Sequence, residues 1–298
     1  MGNKELKYLL LLVSVKTEDK KIILQDLIDA VFQLCEYQQS KSYTFQELKT
    51  ANLLGRMVFT KLSSIKTLLE GFTYSSQGKE IKINDFTILA SNIRNLLENI
   101  CIFHFIFKKS KSEEETILKL KVWEISSLKY RLYLKKYVKI ESQKEKIDED
   151  EKKINEISLY INNLAIIKNL DEINKKKLDN MIDRKSFSFL INNNKIKCYD
   201  WQDMVDEISN SNEAFNSLYT NLSMYSHPSY KSVNDFNFSF FNENKKEEII
   251  KDLMYFCFIL TSYFINDFRY VFPKTKELEI NKIVDILLNM HKNNEKGL

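Results

Sequence analysis

Residues 85–107 decide the fold class, and they read DFTILASNIRNLLENICIFHFIF. At 100° per residue, the apolar side chains of this stretch fall almost all round the axis, which is typical of a helix buried on most sides. The stretch therefore predicts a central helix with other helices packed around it. Within it, Arg94 and Glu98 stand one turn apart on a face that Cys101 and Phe105 continue.

The charged pair in this apolar helix has two interpretations. Arg94 and Glu98 could form an ion pair that ties neighbouring helices together, or an electrostatic site lined by apolar walls. Burial does not decide between them, because a buried ion pair can break even against desolvation and be kept for either purpose. The helix by itself leaves both open.

The composition favours helices throughout the chain. The chain has 298 residues, of which 44% are hydrophobic, and this apolar content is ample for a substantial core. The 5 Gly and 2 Pro are too few for the turns of a β-sandwich or barrel. The net charge of +4 is mild and does not by itself indicate a nucleic-acid partner. We predict an all-α multi-helix bundle.

The cysteines and the apolar runs indicate a cytoplasmic protein without cofactors. The 4 Cys residues form no Cys-x-x-Cys pair or Cys/His cluster, so we expect buried, reduced thiols and no metal. No motif for a phosphate-binding loop or a zinc protease is present, and we expect no cofactor. The apolar run at 8–13 is too short for a signal peptide, and polar residues interrupt the run at 253–268. We therefore expect no membrane association.

Capping signals mark the helices of the N-terminal half. Thr17 is a candidate cap for the first long helix. Thr44 and Glu47 have capping-box spacing ahead of a helix that ends at Gly71, and a polar turn over 75–78 leads to the central helix. Ser112 and Glu115 repeat the capping-box spacing before a helix over 117–138. That helix carries a lysine-rich face that we expect to be solvated, made of Lys119, Lys121, Lys129, Arg131, Lys135 and Lys136.

Composition changes sharply at residue 139. Most residues from 139 to 153 are charged, with both signs mixed, while Ile140, Ile147, Ile154 and Ile161 recur every seven residues. This pattern predicts a charged helix that projects from the body over about 139–184. It could form a helical hairpin with residues 171–183, or pair through 139–170 with a second subunit or another protein. The predicted organisation is an N-terminal half at 1–138, an insertion at 139–184, and a C-terminal half at 185–298 that completes the same bundle.

The C-terminal half contains a polar helical stripe. Residues 185–200 predict irregular chain that includes one strand pair. A helix over 212–227 follows, whose polar side is formed by Asn216, Thr220, Ser223 and His227. The Phe-, Ser- and Asn-rich stretch at 229–244 predicts a loop. A long apolar helix over 247–272 and an amphipathic helix over 277–291 close the chain.

Only 3 histidines are present, and they differ in their surroundings. His291 falls in a polar tail, and His104 lies among phenylalanines, where a neutral core histidine is expected. His227 precedes Pro228, which pushes its predecessor out of helical geometry. A helix C-terminus stabilises imidazolium, and a break in the helix leaves the ring accessible. His227 is therefore either a residue that closes the helix or a functional group.

Two short motifs carry a family resemblance. Arg94-x-x-x-Glu98 on a buried helix, followed by SMYSHPS at 223–229, resembles an uncharacterised bacterial family of all-helical proteins. The pair is also distantly similar to the HEPN superfamily, whose members include ribonuclease toxins and abortive-infection proteins of phage defence. The general pattern covers about residues 45–272. The resemblance implies that Arg94, Glu98, Ser223 and His227 converge in one catalytic site.

The resemblance also implies a chemistry. His227 would act as general acid or base on a ribose 2′-hydroxyl or its leaving oxygen, Arg94 would stabilise the charge at phosphorus, and Glu98 would orient either of them, without a metal. Catalytic HEPN ribonucleases usually carry an arginine four to six residues before the histidine, whereas this chain has Asn221 and Leu222 there. Arg94 would supply the guanidinium from another helix.

These implications lead to two main expectations. The first is a bacterial effector of a phage-defence or toxin–antitoxin system that cleaves RNA without a metal and reads no DNA sequence. The alternative is a non-catalytic module that binds a partner, dimerises, or binds RNA through the lysine-rich face at 119–136. A separation of more than about 10 Å between Arg94 and His227 would exclude a shared scissile phosphate, since both must come within hydrogen-bond reach of it.

Overall fold

The computed structural model describes residues 3–14, 16–43, 45–208, 217–240 and 242–294. In chain order, the elements from the N-terminus to residue 132 are α1 Asn3–Val13, α2 Thr17–Gln39, α3 Leu48–Glu70, β1 Phe72–Ser76, β2 Lys79–Ile83, α4 Phe86–Phe103, a π-helical turn His104–Lys108 and α5 Glu113–Leu132. Those that follow are α6 Glu141–Asn163, α7 Ala165–Lys168, α8 Glu172–Asp183, β3 Phe189–Asn192, β4 Lys195–Cys198, α9 Trp201–Ile208, α10 Leu218–Ser226, α11 Tyr230–Phe240, α12 Glu243–Val271 and α13 Ile283–Asn294.

The predicted all-α class is confirmed. Helices account for most of the described residues, and the sheets among them are two antiparallel hairpins, β1–β2 and β3–β4. Within the same ranges, no helix combines the length and apolarity needed to cross a membrane.

The chain forms two compact units, whose limits differ from the predicted boundaries at 138 and 184. The first unit combines residues 1–104 with 205–298, and the second unit is residues 105–204. The boundaries differ because α5 shares its core with the charged segment that follows it. The predicted insertion therefore begins earlier, before α5, and ends later, after β4.

Helix α4 is the centre of the first unit. It packs against α3, α10 and α12, as its all-round apolar pattern predicts. Its side chains Ile93, Leu96 and Ile100 are fully buried. Gly55 of α3 allows the side chains of Cys35 and Phe268 to approach its backbone closely in the same core. A Cβ atom at this position would lie 2.8 Å from both Cys35 Sγ and the Phe268 ring. The core is therefore tight enough to require glycine at one helix crossing.

Three of the four thiols lie in this core, as expected from their apolar surroundings. Cys35, Cys101 and Cys257 are buried and free, whereas Cys198 in the second unit is exposed and free. Burial raises the pKa of the Cys35 and Cys257 thiols to about 12. The three buried thiols are therefore un-ionised at neutral pH and have little reactivity.

The structure agrees with some of the predicted helix caps and differs from others. Ser112 caps α5, because its hydroxyl accepts the Glu115 N–H at 3.2 Å, so this capping signal is confirmed. The prediction for Thr17 is wrong, since Lys16 is the cap residue of α2 and makes no side-chain cap bond. Thr44 lies outside the described residues. The N-cap residue of α3 is Glu47, and Gly71 ends that helix at φ +69°.

Both hairpins turn on residues with positive φ. β1 and β2 flank Gln77 and Gly78, at φ +53° and +75°, and β3 and β4 flank Asn193 and Asn194, at φ +50° and +58°. Positive φ at both central residues gives the tight turn that matches strand twist. The strand pair within 185–200 is confirmed. The sequence predicted only a turn at 75–78, because β1 and β2 are almost entirely exposed and each contributes only two alternating apolar or aromatic residues.

The predicted loop at 229–244 is wrong, since α11 occupies residues 230–240 and α12 begins at Glu243. The Ser232 N–H donates to Ser229 Oγ at 3.0 Å, while the Ser229 N–H donates to Ser232 Oγ at 2.9 Å. This reciprocal capping starts α11 immediately after Pro228. The periodicity of apolar residues does not predict this helix, because Ser232 and Ser239 are buried, whereas its aromatic residues are exposed.

The second unit has its own apolar core. Helix α6 packs along α5, and Ile147 and Ile161 of its heptad pattern are buried, together with Ile157. The charged segment is therefore one layer of a small domain, not an isolated projection. The residues of this core are Leu118, Val122, Ile125, Leu128, Ile157, Ile161, Leu164, Ile167, Leu170, Leu178, Met181, Phe189, Ile191 and Ile196.

Lys119 is a buried member of the predicted lysine-rich face. Its ammonium group lies 2.8 Å from Glu115 Oε1, and it donates to the Phe105 carbonyl at 3.0 Å and to Ser110 Oγ at 3.1 Å. The predicted solvation is therefore wrong at this position. The neighbouring Lys121 is part-exposed and pairs with Glu124.

Lys20 provides a pH test of the first unit. Its ammonium group is buried and donates to the carbonyls of Leu11 and Leu12, at the end of α1. Burial, with a smaller effect from Lys251, lowers the pKa of Lys20 to about 8. Between pH 8 and 10 the unfolded chain holds more protons than the folded chain, so the free energy of unfolding rises with pH.

We expect wild type to gain stability over Lys20→Met as pH rises from 7.5 to 9.5, by less than about 1.4 kcal/mol per pH unit, the limit for one proton. Urea denaturation at four pH values measures this difference. A difference in the free energy of unfolding between the two proteins that stays constant over this pH range would contradict the lowered pKa of Lys20.

Candidate functional site

Helices α4 and α10 bring Arg94 and His227 into contact. Arg94 Nη1 lies 3.1 Å from His227 Nε2, although 133 positions separate the two residues in the chain. Arg94 lies in the middle of α4, and His227 is the C-cap residue of α10. The distance is far below the limit beyond which the two groups could not share one phosphate.

Arg94 makes two further hydrogen bonds. Its Nε donates to Glu98 Oε1 at 3.1 Å, and its Nη2 donates to the Tyr219 hydroxyl at 2.9 Å. The guanidinium carbon also lies 5.0 Å from the centre of the Tyr219 ring. The Arg94 and Glu98 side chains are 20% and 27% exposed, so the guanidinium is oriented by its neighbours and still reachable from solvent.

The contact with Arg94 defines the proton position on His227. A guanidinium has donors only, so Nε2 of His227 must accept the hydrogen bond. As a hydrogen bond, this contact therefore requires the tautomer whose ring proton is on Nδ1. Nε2 is thus a basic nitrogen held beside a permanent positive charge.

The backbone at His227 is fixed by its neighbours. His227 has φ −121° and ψ 146°, the extended geometry expected before proline, and its N–H donates to the Ser223 carbonyl. Ser232 Oγ lies 3.3 Å from the His227 carbonyl. The residue closes α10 through its main chain, while its exposed ring is directed to Arg94.

The four predicted site residues differ in their contacts. Arg94, Glu98 and His227 lie together, as described above. The Ser223 hydroxyl donates to the Tyr219 carbonyl at 2.7 Å, within its own helix. Ser223 therefore supports α10, one turn before His227.

Tyr219 is the member of the site that sequence reasoning missed. It precedes Ser223 by four residues, so the two lie on one side of α10. The predicted polar stripe contained Ser223 and His227 but not this tyrosine. A search for aromatic residues at helical spacing from His227 would have identified Tyr219 as a candidate partner of Arg94.

A groove of about 400 Å³ opens beside His227, which is one of its lining residues. It lies between the first turns of α4 and the segment that joins α10 to α11. Its lining residues are Thr87, Ile88, Ser91, Tyr225, Ser226, His227, Pro228, Ser232, Val233 and Phe236. Among these described residues there is no Lys, Arg, Asp or Glu, so the groove is uncharged while Arg94 provides positive charge beside it.

His104 lies elsewhere, in the core of the first unit. It is buried, and its Nδ1 is 2.6 Å from Asp267 Oδ2. This matches the core position expected for it. The side chain of His291 lies outside the described residues. Over the described ranges, no group of three or more His, Cys, Asp or Glu side chains has the arrangement of a metal site.

Tyr219 provides a test of how Arg94 is held. In a Tyr219→Phe variant the ring stays over the guanidinium, but Arg94 Nη2 loses its acceptor. We expect a loss of about 0.5–1.5 kcal/mol in the free energy of unfolding, the usual net value of one hydrogen bond. Urea denaturation measures it, with Tyr74→Phe on the exposed β1 strand as the control. Equal stability of the two variants would contradict a structural role for the hydroxyl.

The fold and the site define an all-helical protein with an arginine, a histidine, a glutamate and a tyrosine joined across two helices. A family profile matches residues 54–247, which is more than half of the chain and includes all four of these residues. The chain belongs to this family, the family of unknown function DUF5677. No curated protein and no solved structure matches the chain at a significant level.

Proposed function

We propose that this chain is a HEPN-like bacterial effector that cleaves RNA without a metal, in a cytoplasmic phage-defence or toxin–antitoxin system. The observation that supports this most is the 3.1 Å contact between Arg94 Nη1 and His227 Nε2. It places a base and a permanent cation within reach of a single phosphodiester, the arrangement that 2′-hydroxyl attack on phosphorus requires.

In the proposed reaction, the ribose 2′-oxygen bonds to phosphorus while His227 Nε2 accepts the hydroxyl proton. The bond from phosphorus to the 5′-oxygen breaks, and this oxygen takes a proton from water. Arg94 stabilises the negative charge on the phosphoryl oxygens. Glu98 and Tyr219 orient the guanidinium through the hydrogen bonds described above.

Arg94 retains donors for a substrate. Its guanidinium has five N–H groups, and contacts to the described residues Glu98, Tyr219 and His227 occupy three of them. One hydrogen on each terminal nitrogen therefore remains for the phosphoryl oxygens. An incoming phosphate would also compete with Nε2 for Arg94 and so release this nitrogen to act as the base.

The chemistry of the product ends tests this proposal. We expect purified protein to cleave RNA at an unchanged rate in excess EDTA, leaving 2′,3′-cyclic phosphate and 5′-hydroxyl ends. A 5′-labelling assay with polynucleotide kinase, with and without prior phosphatase, distinguishes these ends. Fragments with 5′-phosphates that disappear in EDTA would indicate metal-dependent hydrolysis and overturn the mechanism.

A second candidate function is a non-catalytic interaction module. The observation that favours it is the exposure of aromatic side chains on α11, where Tyr230 is 85% and Phe238 is 66% exposed. Such a patch is typical of a surface that binds another molecule. In this case Arg94 and Glu98 are a structural pair, and replacing His227 leaves every biological effect of the chain unchanged.

A further inference from the structure

We propose that the groove beside His227 is a binding subsite for one unpaired RNA base that carries an amino group, next to the scissile phosphate. The proposal rests on the proposed function, because it assigns the phosphate of the same nucleotide to Arg94. Its support comes from the charge, size and hydrogen-bonding character of the groove.

The charge distribution matches a nucleotide. The groove is uncharged along its described lining, and Arg94 Nη1 lies 3.1 Å from Nε2 of His227, a lining residue. A ligand that fits both must have a neutral part attached to an anionic part. A volume of about 400 Å³ is near the lower end for small-molecule sites, and it suits one base with its ribose.

The walls suit a flat aromatic ring. Phe236, Tyr225, Pro228 and Val233 supply the apolar surface. Phe236 is 39% exposed, so part of its ring is open to a ligand. Stacking on aromatic side chains is the usual way in which proteins hold unpaired bases, because every base has a π-face. A base held in a duplex cannot enter such a groove.

The hydroxyl groups of the groove select for amino groups. The Thr87 hydroxyl donates to Asp85 Oδ1, the Ser91 hydroxyl to the Thr87 carbonyl, and the Ser226 hydroxyl to the Leu222 carbonyl. Their hydrogens are thus committed to protein oxygens, and what they present to a ligand is acceptor lone pairs. Adenine and cytosine each offer an amino group with two hydrogens to these acceptors, whereas uracil has no amino group and offers only its single N3–H.

Binding of RNA that cannot be cleaved tests the subsite separately from catalysis. The probes are fluorescent 2′-O-methyl nonamers of adenine, cytosine and uracil, and an adenine–uracil duplex of the same length, measured by fluorescence anisotropy. We expect the adenine and cytosine nonamers to bind about 2- to 12-fold more tightly than the uracil nonamer for each hydrogen bond gained. The duplex should bind more weakly than either single strand.

Matched variants locate the binding. Phe236→Ala should weaken binding of the adenine nonamer by about 5- to 150-fold, the range for loss of one stacked base. Phe238→Ala on the same helix is the control, because Phe238 is exposed and does not line the groove. The double variant Ser91→Ala/Ser226→Ala should reduce the difference in affinity between the nonamers, because of the three hydroxyls only that of Thr87 remains. Val233→Ala is a milder groove variant if Phe236→Ala fails to fold.

The outcomes separate the two proposals. Equal binding of the three nonamers by wild type, or binding that survives both Phe236→Ala and Val233→Ala, overturns the subsite even if wild type cleaves ordinary RNA. A base preference that depends on the groove, in a protein that does not cleave ordinary RNA, supports the subsite and overturns the ribonuclease.

Discussion

We expect His227→Ala to lower the rate of RNA cleavage by about 10²- to 10⁴-fold, the usual contribution of a general acid or base. The expected effect on folding is small, because the imidazole is exposed and its backbone bonds do not depend on the ring. A fluorogenic RNA substrate gives the rate, and thermal unfolding monitored by circular dichroism gives the stability.

Two controls make this result specific to chemistry. Added imidazole should restore part of the activity of His227→Ala, because it can enter the space left by the side chain and accept the proton. Arg94→Lys keeps the charge but loses the planar fork that reaches Glu98, Tyr219 and His227, so it should also lose most activity. Full cleavage by His227→Ala would show that the histidine is not the base.

The second large effect is expected at Lys119. Its side chain is 2% exposed and that of its partner Glu115 is 3% exposed. Lys119→Met would leave the Glu115 carboxylate buried without its cation, and such a change costs about 3–5 kcal/mol. Both tryptophans of the chain, Trp123 and Trp201, lie in the second unit. Their fluorescence during urea unfolding therefore reports on the unit that contains the mutation.

The same helix provides the matched control. Lys121→Met removes a part-exposed partner of Glu124, and we expect a loss below about 1 kcal/mol. The double variant Glu115→Gln/Lys119→Met removes both charges and should recover part of the lost stability. If Lys119→Met lowers the free energy of unfolding no more than Lys121→Met does, the burial of Lys119 is not important for stability.

The sequence predicted those parts of the fold that depend on local periodicity. The central position of α4 follows from apolar side chains all round its axis, and the start of α5 follows from the spacing of Ser112 and Glu115. Helix α11 could not be recognised in this way. Its serines face inward and its aromatic residues outward, so its apolar pattern does not indicate its buried side.

Tertiary contacts account for the other differences. Lys119 belongs to a row of lysines in the sequence, and only the packing of α5 distinguishes it from Lys121. In the candidate site, the expectation that Arg94, Glu98 and His227 converge came from a family resemblance, and no local pattern joins residues 133 positions apart. Tyr219 was missed because its role is defined by Arg94 on another helix.

The division of the chain into units has a consequence for its synthesis on the ribosome. The second unit is one continuous segment, whereas α4 must wait for α10 and α12 before its packing partners are complete. At about 5–20 residues per second, the 133 residues from 95 to 227 take roughly 7–27 s to translate. The nascent chain therefore carries its arginine for many seconds before the histidine exists. The cell that makes this protein encounters the assembled pair only after most of the chain has been synthesised.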